Sequence, residues 1–209
     1  MLFRSYRYLA SRYRLPKQTT GPYGGDLWWS RTIAVGASHW LVIGLDSERL
    51  SDTAKLDRER TFIRETLAAN DGTPTIVMWH RPRFSSGEHG DQDDAGVTML
   101  WNETTSDTDV TVAIWGHDHD YEQRTVRGVG GQDVTTIVAG TGGAELRGCP
   151  GLDNPTRSNT LVCGTSQPGF RNYGVVDLTL TQSAFSWNYR MVSSTNPTGT
   201  VAASGARTL

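Results

Sequence analysis

The chain lacks several features that would place it in a specialised class. No stretch approaches the roughly 18 consecutive apolar residues of a membrane-spanning helix, so no membrane partner is expected. No charge of one sign prevails: 20 Lys and Arg face 22 Asp and Glu, for a formal net charge of −2. Without a basic surplus nothing draws the chain to DNA, RNA or anionic lipid, and no nucleic-acid partner is expected. Repeats and low-complexity linkers are absent too, so residues 1–209 read as one domain. Cysteine is scarce. Cys149 and Cys163 are the only two, in a stretch rich in Gly, Pro, Asn, Ser and Thr. Such a loop buries little, and a bond between its ends would add roughly 3 kcal/mol by loop closure. That bond would suit an oxidising compartment; two unrelated thiols are the alternative.

What is present is an ordinary globular composition, 36% hydrophobic and 20% charged, enough for one core. Arginines interrupt residues 1–14, so these are not a signal peptide. Leu2, Phe3, Tyr6, Leu9, Ala10 and Tyr13 instead predict an opening amphipathic helix. Strands are expected from Leu27 to Val35 and from His39 to Asp46, about a turn at residues 36–38. A helix capped by Ser51 or Asp52 should run to about Ala69, with Leu56, Phe62, Ile63 and Leu67 as its apolar stripe. Residues 75–79 and 110–115 read as buried strands, with a short helix carrying Val97, Leu100 and Trp101 between them. Further β segments are expected at 121–127 and 134–139, and a C-terminal hairpin over 173–192. This order gives an α/β core followed by β hairpins. Trp40, Trp79 and Trp115 are expected in the core, with Trp28, Trp29 and Trp187 left for the surface. His39 is expected to be a hydrogen-bonded core residue, and the arginines ordinary surface charge.

The chemistry gathers where two core strands end. Trp79-His80-Arg81-Pro82 closes one, and Gly116-His117-Asp118-His119-Asp120 closes the other. In open α/β sheets, ligands collect outside the carboxyl ends of the strands. Residues two apart in an extended segment point the same way, so His117 and His119 are expected to converge while Asp118 turns aside. Gly116 is expected to let the backbone turn. Neutral imidazoles ligate Zn, Fe and Mn, and three of them at neighbouring strand ends point to a metal site.

Two runs, Trp79-His-Arg-Pro-Arg-Phe-Ser-Ser-Gly-Glu-His-Gly90 and Gly116-His-Asp-His-Asp-Tyr-Glu-Gln123, resemble the C-terminal half of the purple acid phosphatase branch of the calcineurin-like metallophosphoesterases. The Gly-His-X-His-X-Tyr-Glu pattern is the most specific part of the likeness, which extends over roughly Leu27 to Met191. The resemblance implies a β-sandwich flanked by helices, four layers α/β/β/α in the complete family. It also implies hydrolysis of small-molecule phosphate monoesters at a dinuclear centre, Fe with Zn, Mn or Fe. His80 and His117 correspond to ligands of one ion and His119 to a ligand of the other. His89 corresponds to a histidine that contacts the phosphate and protonates the leaving group. The family's upstream Asp, Asp-X-X-Tyr and Asn-His motifs have no counterpart here; Asp26 and Asp46 stand in the wrong context. The chain is accordingly expected to be a fragment of a secreted protein, inactive alone, or else a degenerate paralogue.

Other His-X-His hydrolases fit less well. A metallo-β-lactamase pattern needs Asp and His where Tyr121 and Glu122 stand. An amidohydrolase places its pair near the chain start, within a barrel that these elements are too few to build. A non-catalytic, β-rich carbohydrate-binding module, using tryptophans as stacking platforms, is the alternative from a different class.

Overall fold

Three short runs of branched and aromatic residues form the middle of the main sheet. They are Trp40 to Ile43 in β2 (Ser38–Gly44), Ile76 and Val77 in β3 (Thr75–Met78), and Val110, Val112 and Ala113 in β4 (Val110–Trp115). All are buried. Burial on both faces suits a central parallel strand, and β2, β3 and β4 do pair in parallel. The structure, a computed structural model, describes residues 26–48, 51–143, 146, 173–192, 196 and 198–209. The helix expected over 1–14 and the expected Cys149–Cys163 bond lie outside these residues.

β1 (Trp29–Val35) joins β2 as an antiparallel hairpin through a two-residue turn whose first position, Gly36, has φ +62°. On the other side β6 (Asp133–Ala139) runs parallel to β4, and β5 (Tyr121–Arg127) closes the sheet antiparallel to β6. The order is β1-β2-β3-β4-β6-β5. Helix α1 (Thr53–Ala68) connects β2 to β3, and α2 (Ala95–Thr105) connects β3 to β4. Both start on an aspartate. Asp52 accepts from the Lys55 N–H, and Asp94 from those of Gly96 and Val97.

Strand alternation sorts the core into two parts. Leu41, Ile43, Val77 and Ala113 face the helices and meet Phe62, Ile63, Leu67, Leu100 and Trp101. Trp40, Val42, Ile76 and Val112 face the other way, onto Phe185, Trp187 and Tyr189. Those three belong to β8 (Ala184–Met191), the middle strand of an antiparallel sheet with β7 (Gly174–Leu180) and β9 (Thr200–Thr208). The described residues thus form three layers: helices, a six-stranded mixed sheet and a three-stranded sheet. Among them no helix is long and apolar enough to cross a membrane.

Four expectations change. The tail is not a hairpin alone, because β9 pairs along β8. Trp28 and Trp187 are buried and Trp29 is half-buried, so none of the three is a surface platform. His39 is exposed; it is the second residue of β2 and pairs with Ala34 on the edge strand. Arg124 is buried rather than on the surface.

Candidate metal centre

The hydrogen-bond ladder between β3 and β4 continues past both strands to the histidines. The Trp79 N–H donates to the Ile114 carbonyl at 3.2 Å, and the Gly116 N–H to the His80 carbonyl at 3.0 Å. From the end of β2, the Ser47 hydroxyl accepts from the backbone N–H groups of His80 (3.2 Å) and Arg81 (2.9 Å). The residues just before the motifs pack beneath them, with the Trp79 and Trp115 rings 5.5 Å apart and Trp101 6.0 Å from Trp115. His80 is thereby held between two strand ends.

The turn after β4 differs from the expected extended run. Its left-handed residue is His117 (φ +68°), the one non-glycine with positive φ among the described residues. The Asp118 N–H donates back to the Gly116 carbonyl at 2.8 Å, closing a γ-turn about His117. Such a conformation is uncommon for a residue with a side chain and needs support from its surroundings. It breaks the two-residue alternation and turns the His117 ring toward β3.

There His117 Nδ1 lies 3.3 Å from His80 Nε2, the two rings standing nearly perpendicular at 80°. Burial pushes both imidazoles down to about 4. The positive Arg81 and nearby imidazoles assist at His80, and His89 and His80 assist at His117. Both rings are therefore neutral near pH 7, the form in which imidazole binds a metal. A tetrahedral ion with metal–nitrogen bonds of about 2.0–2.1 Å separates its ligand nitrogens by roughly 3.3–3.4 Å. The pair fits one ion; an N–H···N hydrogen bond between the rings fits the same distance. His119 lies close enough to His80 to lower its basicity, yet among the described residues no three His, Cys, Asp or Glu side chains come together as a metal-holding group. These residues fit half of one coordination shell and do not fit a second ion.

His89 arrives on the loop after β3, its ring centroid 4.3 Å from that of His117. Two buried carboxylates hold this loop. Asp118 meets His89 Nδ1 at 2.6 Å and also takes the Ser85 hydroxyl. Glu122 accepts the Ser86 N–H at 2.6 Å and pairs with Arg124, which in turn donates to the Ser86 hydroxyl. The Tyr-Glu extension of the second motif thus has a structural use. Tyr121 stacks on Tyr189 at 4.2 Å, while Glu122 grips the histidine loop. Asp118, expected to turn aside, turns inward to that loop. Nothing local in the sequence signals this, since aspartate is among the residues least often buried.

No protein-family model and no curated protein sequence matches the chain. Among solved structures it is similar to GAP50, the anchor in the inner membrane complex of Plasmodium, at 16% identity and a TM-score of 0.61. That likeness covers 85% of this chain and 52% of GAP50. A dimetal phosphatase from Danio rerio is similar at 12% identity and a TM-score of 0.48, covering 88% of this chain and 64% of the phosphatase. The chain spans about half the length of GAP50 and less than two thirds of the phosphatase. At this identity the likeness to GAP50 is one of fold alone.

Proposed function

We propose that this chain carries the histidine side of a metal-dependent phosphoesterase centre that hydrolyses small-molecule phosphate monoesters in an oxidising, extracellular setting. The observation supporting this most strongly is the His80–His117 pair: two neutral imidazoles at neighbouring strand ends, with nitrogens 3.3 Å apart. In this reading His80 and His117 hold one ion, Fe, Zn or Mn, and the part expected of His119 at a second ion would need ligands that the described residues do not supply. Bound metal supplies positive charge that stabilises the transferring phosphoryl group. The chain's own part is to place His89 beside that position, where its ring protonates the departing alcohol.

Metal titration of the purified chain by calorimetry tests the proposal. Zn or Mn should bind one ion per chain, and His80→Ala or His117→Ala should weaken binding at least tenfold, while His39→Ala has no effect. Turnover of p-nitrophenyl phosphate by this chain should remain near background, because the described residues assemble only part of a centre. Absence of any effect of His117→Ala on metal binding would refute the proposal. That incomplete donor set favours a second reading, a non-catalytic relative of the fold. GAP50 is itself described as an anchor. A chain that retains no transition metal would support it.

A further inference from the structure

We propose that Asp118 is a positioning residue, whose buried carboxylate fixes His89 in the ring tautomer protonated on Nδ1 and so reserves Nε2 for proton transfer. What Nε2 does rests on the phosphoesterase reading; the tautomer rests on geometry alone.

The Asp118 side chain is 1% exposed, while that of His89 is 35% exposed. One carboxylate oxygen, Oδ1, meets both polar groups of His89 on that side: Nδ1 at 2.6 Å and the backbone N–H at 3.0 Å. The other oxygen takes the Ser85 hydroxyl, whose own oxygen accepts the Gly87 N–H at 2.9 Å. Space around Asp118 is closed. A Cβ at Gly87 would overlap the carboxyl group, and one at Gly140 would overlap the Asp118 carbonyl. The carboxylate is enclosed, and a carboxylate offers acceptors only. A buried one is stable only where its neighbours donate. The hydrogen between Asp118 and His89 is therefore on Nδ1, and a neutral imidazole with Nδ1–H has its lone pair on Nε2.

The proton path follows. When the ring is protonated, the Nε2 proton passes to the oxygen of the leaving alcohol, and the N–H bond's electron pair stays on Nε2. The ring returns to the neutral Nδ1–H form, still bonded to Asp118. Carboxylate–imidazole pairs that fix tautomer in this way serve the ring that does the chemistry, without touching the substrate.

Long-range proton–nitrogen correlation spectra of the metal-free chain, labelled with 15N in its histidines, read the tautomer directly. His89 is identified by the signals that vanish in His89→Gln. Wild type should show Nδ1–H as the major neutral form, and Asp118→Ala, with no acceptor, should shift the majority to Nε2–H. Ser85→Ala removes a partner of Asp118 but not its contact with His89, so the tautomer should be unchanged. A wild-type ring with Nε2–H as the major form overturns the proposal even if Asp118→Ala fails to fold. So does a switch in Ser85→Ala, which would tie the tautomer to loop packing. Metal titration stays separate. The expected tautomer in a chain without metal affinity leaves Asp118 its role and removes the phosphoesterase reading; the wrong tautomer with normal affinity does the reverse.

Discussion

Glu59 lies on the apolar stripe of α1 with Phe62 and Ile63, buried, its Oε1 accepting the Asp46 N–H at 2.6 Å. Burial pushes its carboxyl up to about 8; that hydrogen bond opposes the shift, and the Asp46 and Asp26 carboxylates add to it. In the unfolded chain the same group ionises near pH 4–5. The folded protein therefore holds a proton that the unfolded chain has released, and stability falls as pH rises toward and through about 8. Asp120, raised to about 7 by burial and then by Asp118, acts with the same sign. Glu59→Gln keeps an oxygen for the Asp46 N–H and removes the titration. Between pH 7 and 9, urea unfolding should show the wild type losing on the order of 1–2 kcal/mol that the variant retains. Equal losses in both would mean that Glu59 is not buried as described. The same scale shows what the sequence discloses at the site. His80 and His117 are legible because each follows a run that reads as a buried strand, whereas His89, on the loop after β3, is singled out only by the resemblance. Asp118 is not, because the two-residue alternation presumes extended backbone, and the positive φ of His117 breaks it. Nor is the Glu122–Arg124 pair, since nothing local distinguishes a buried arginine from a solvated one.

Elements were legible in proportion to how strongly their composition favoured one state. β4 falls at its expected bounds, Val110–Trp115, because its apolar residues tolerate burial on both faces. Helix α1 is equally plain, with a capping aspartate and an apolar stripe. β9 left no such mark. Thr-Val-Ala-Ala-Ser-Gly-Ala-Arg-Thr is poor in residues that favour strands, and only pairing with β8 over a shared core makes it one. Its small residues have a packing reason. Gly205 lies opposite Trp187, and a Cβ there would run into the indole that fills the space between the sheets. Gly205→Ala should therefore destabilise the chain by about 1–3 kcal/mol, the usual range for overpacking a closed core. Urea unfolding followed by tryptophan emission would measure it, and a neutral result would mean that β9 does not seat against Trp187.

On the scale of the whole molecule, the candidate centre stands at the ends of the two innermost strands. β3 and β4 have neighbours on both sides, helices on one face and the small sheet on the other, while among the described residues β1 and β9 each pair on one side only. Amides in such a centre exchange only through the largest openings, whose free energy approaches that of global unfolding, about 5–15 kcal/mol for a domain. Edge strands open more locally. Hydrogen exchange should accordingly be slowest at Ile76, Val77, Val112 and Ala113, and faster along β1 and β9. The γ-turn at Gly116 to Asp118 is the place where this rigid frame gives way to loop, so its protection depends on what the imidazoles hold. Added Zn should slow exchange at residues 80–81 and 116–119 and leave β9 unchanged, since an ion between His80 and His117 ties the turn after β4 to the end of β3. If Zn instead slowed exchange evenly along the chain, or only in the small sheet, the ion would be binding elsewhere, and the strand-end histidines would lose their place as its ligands.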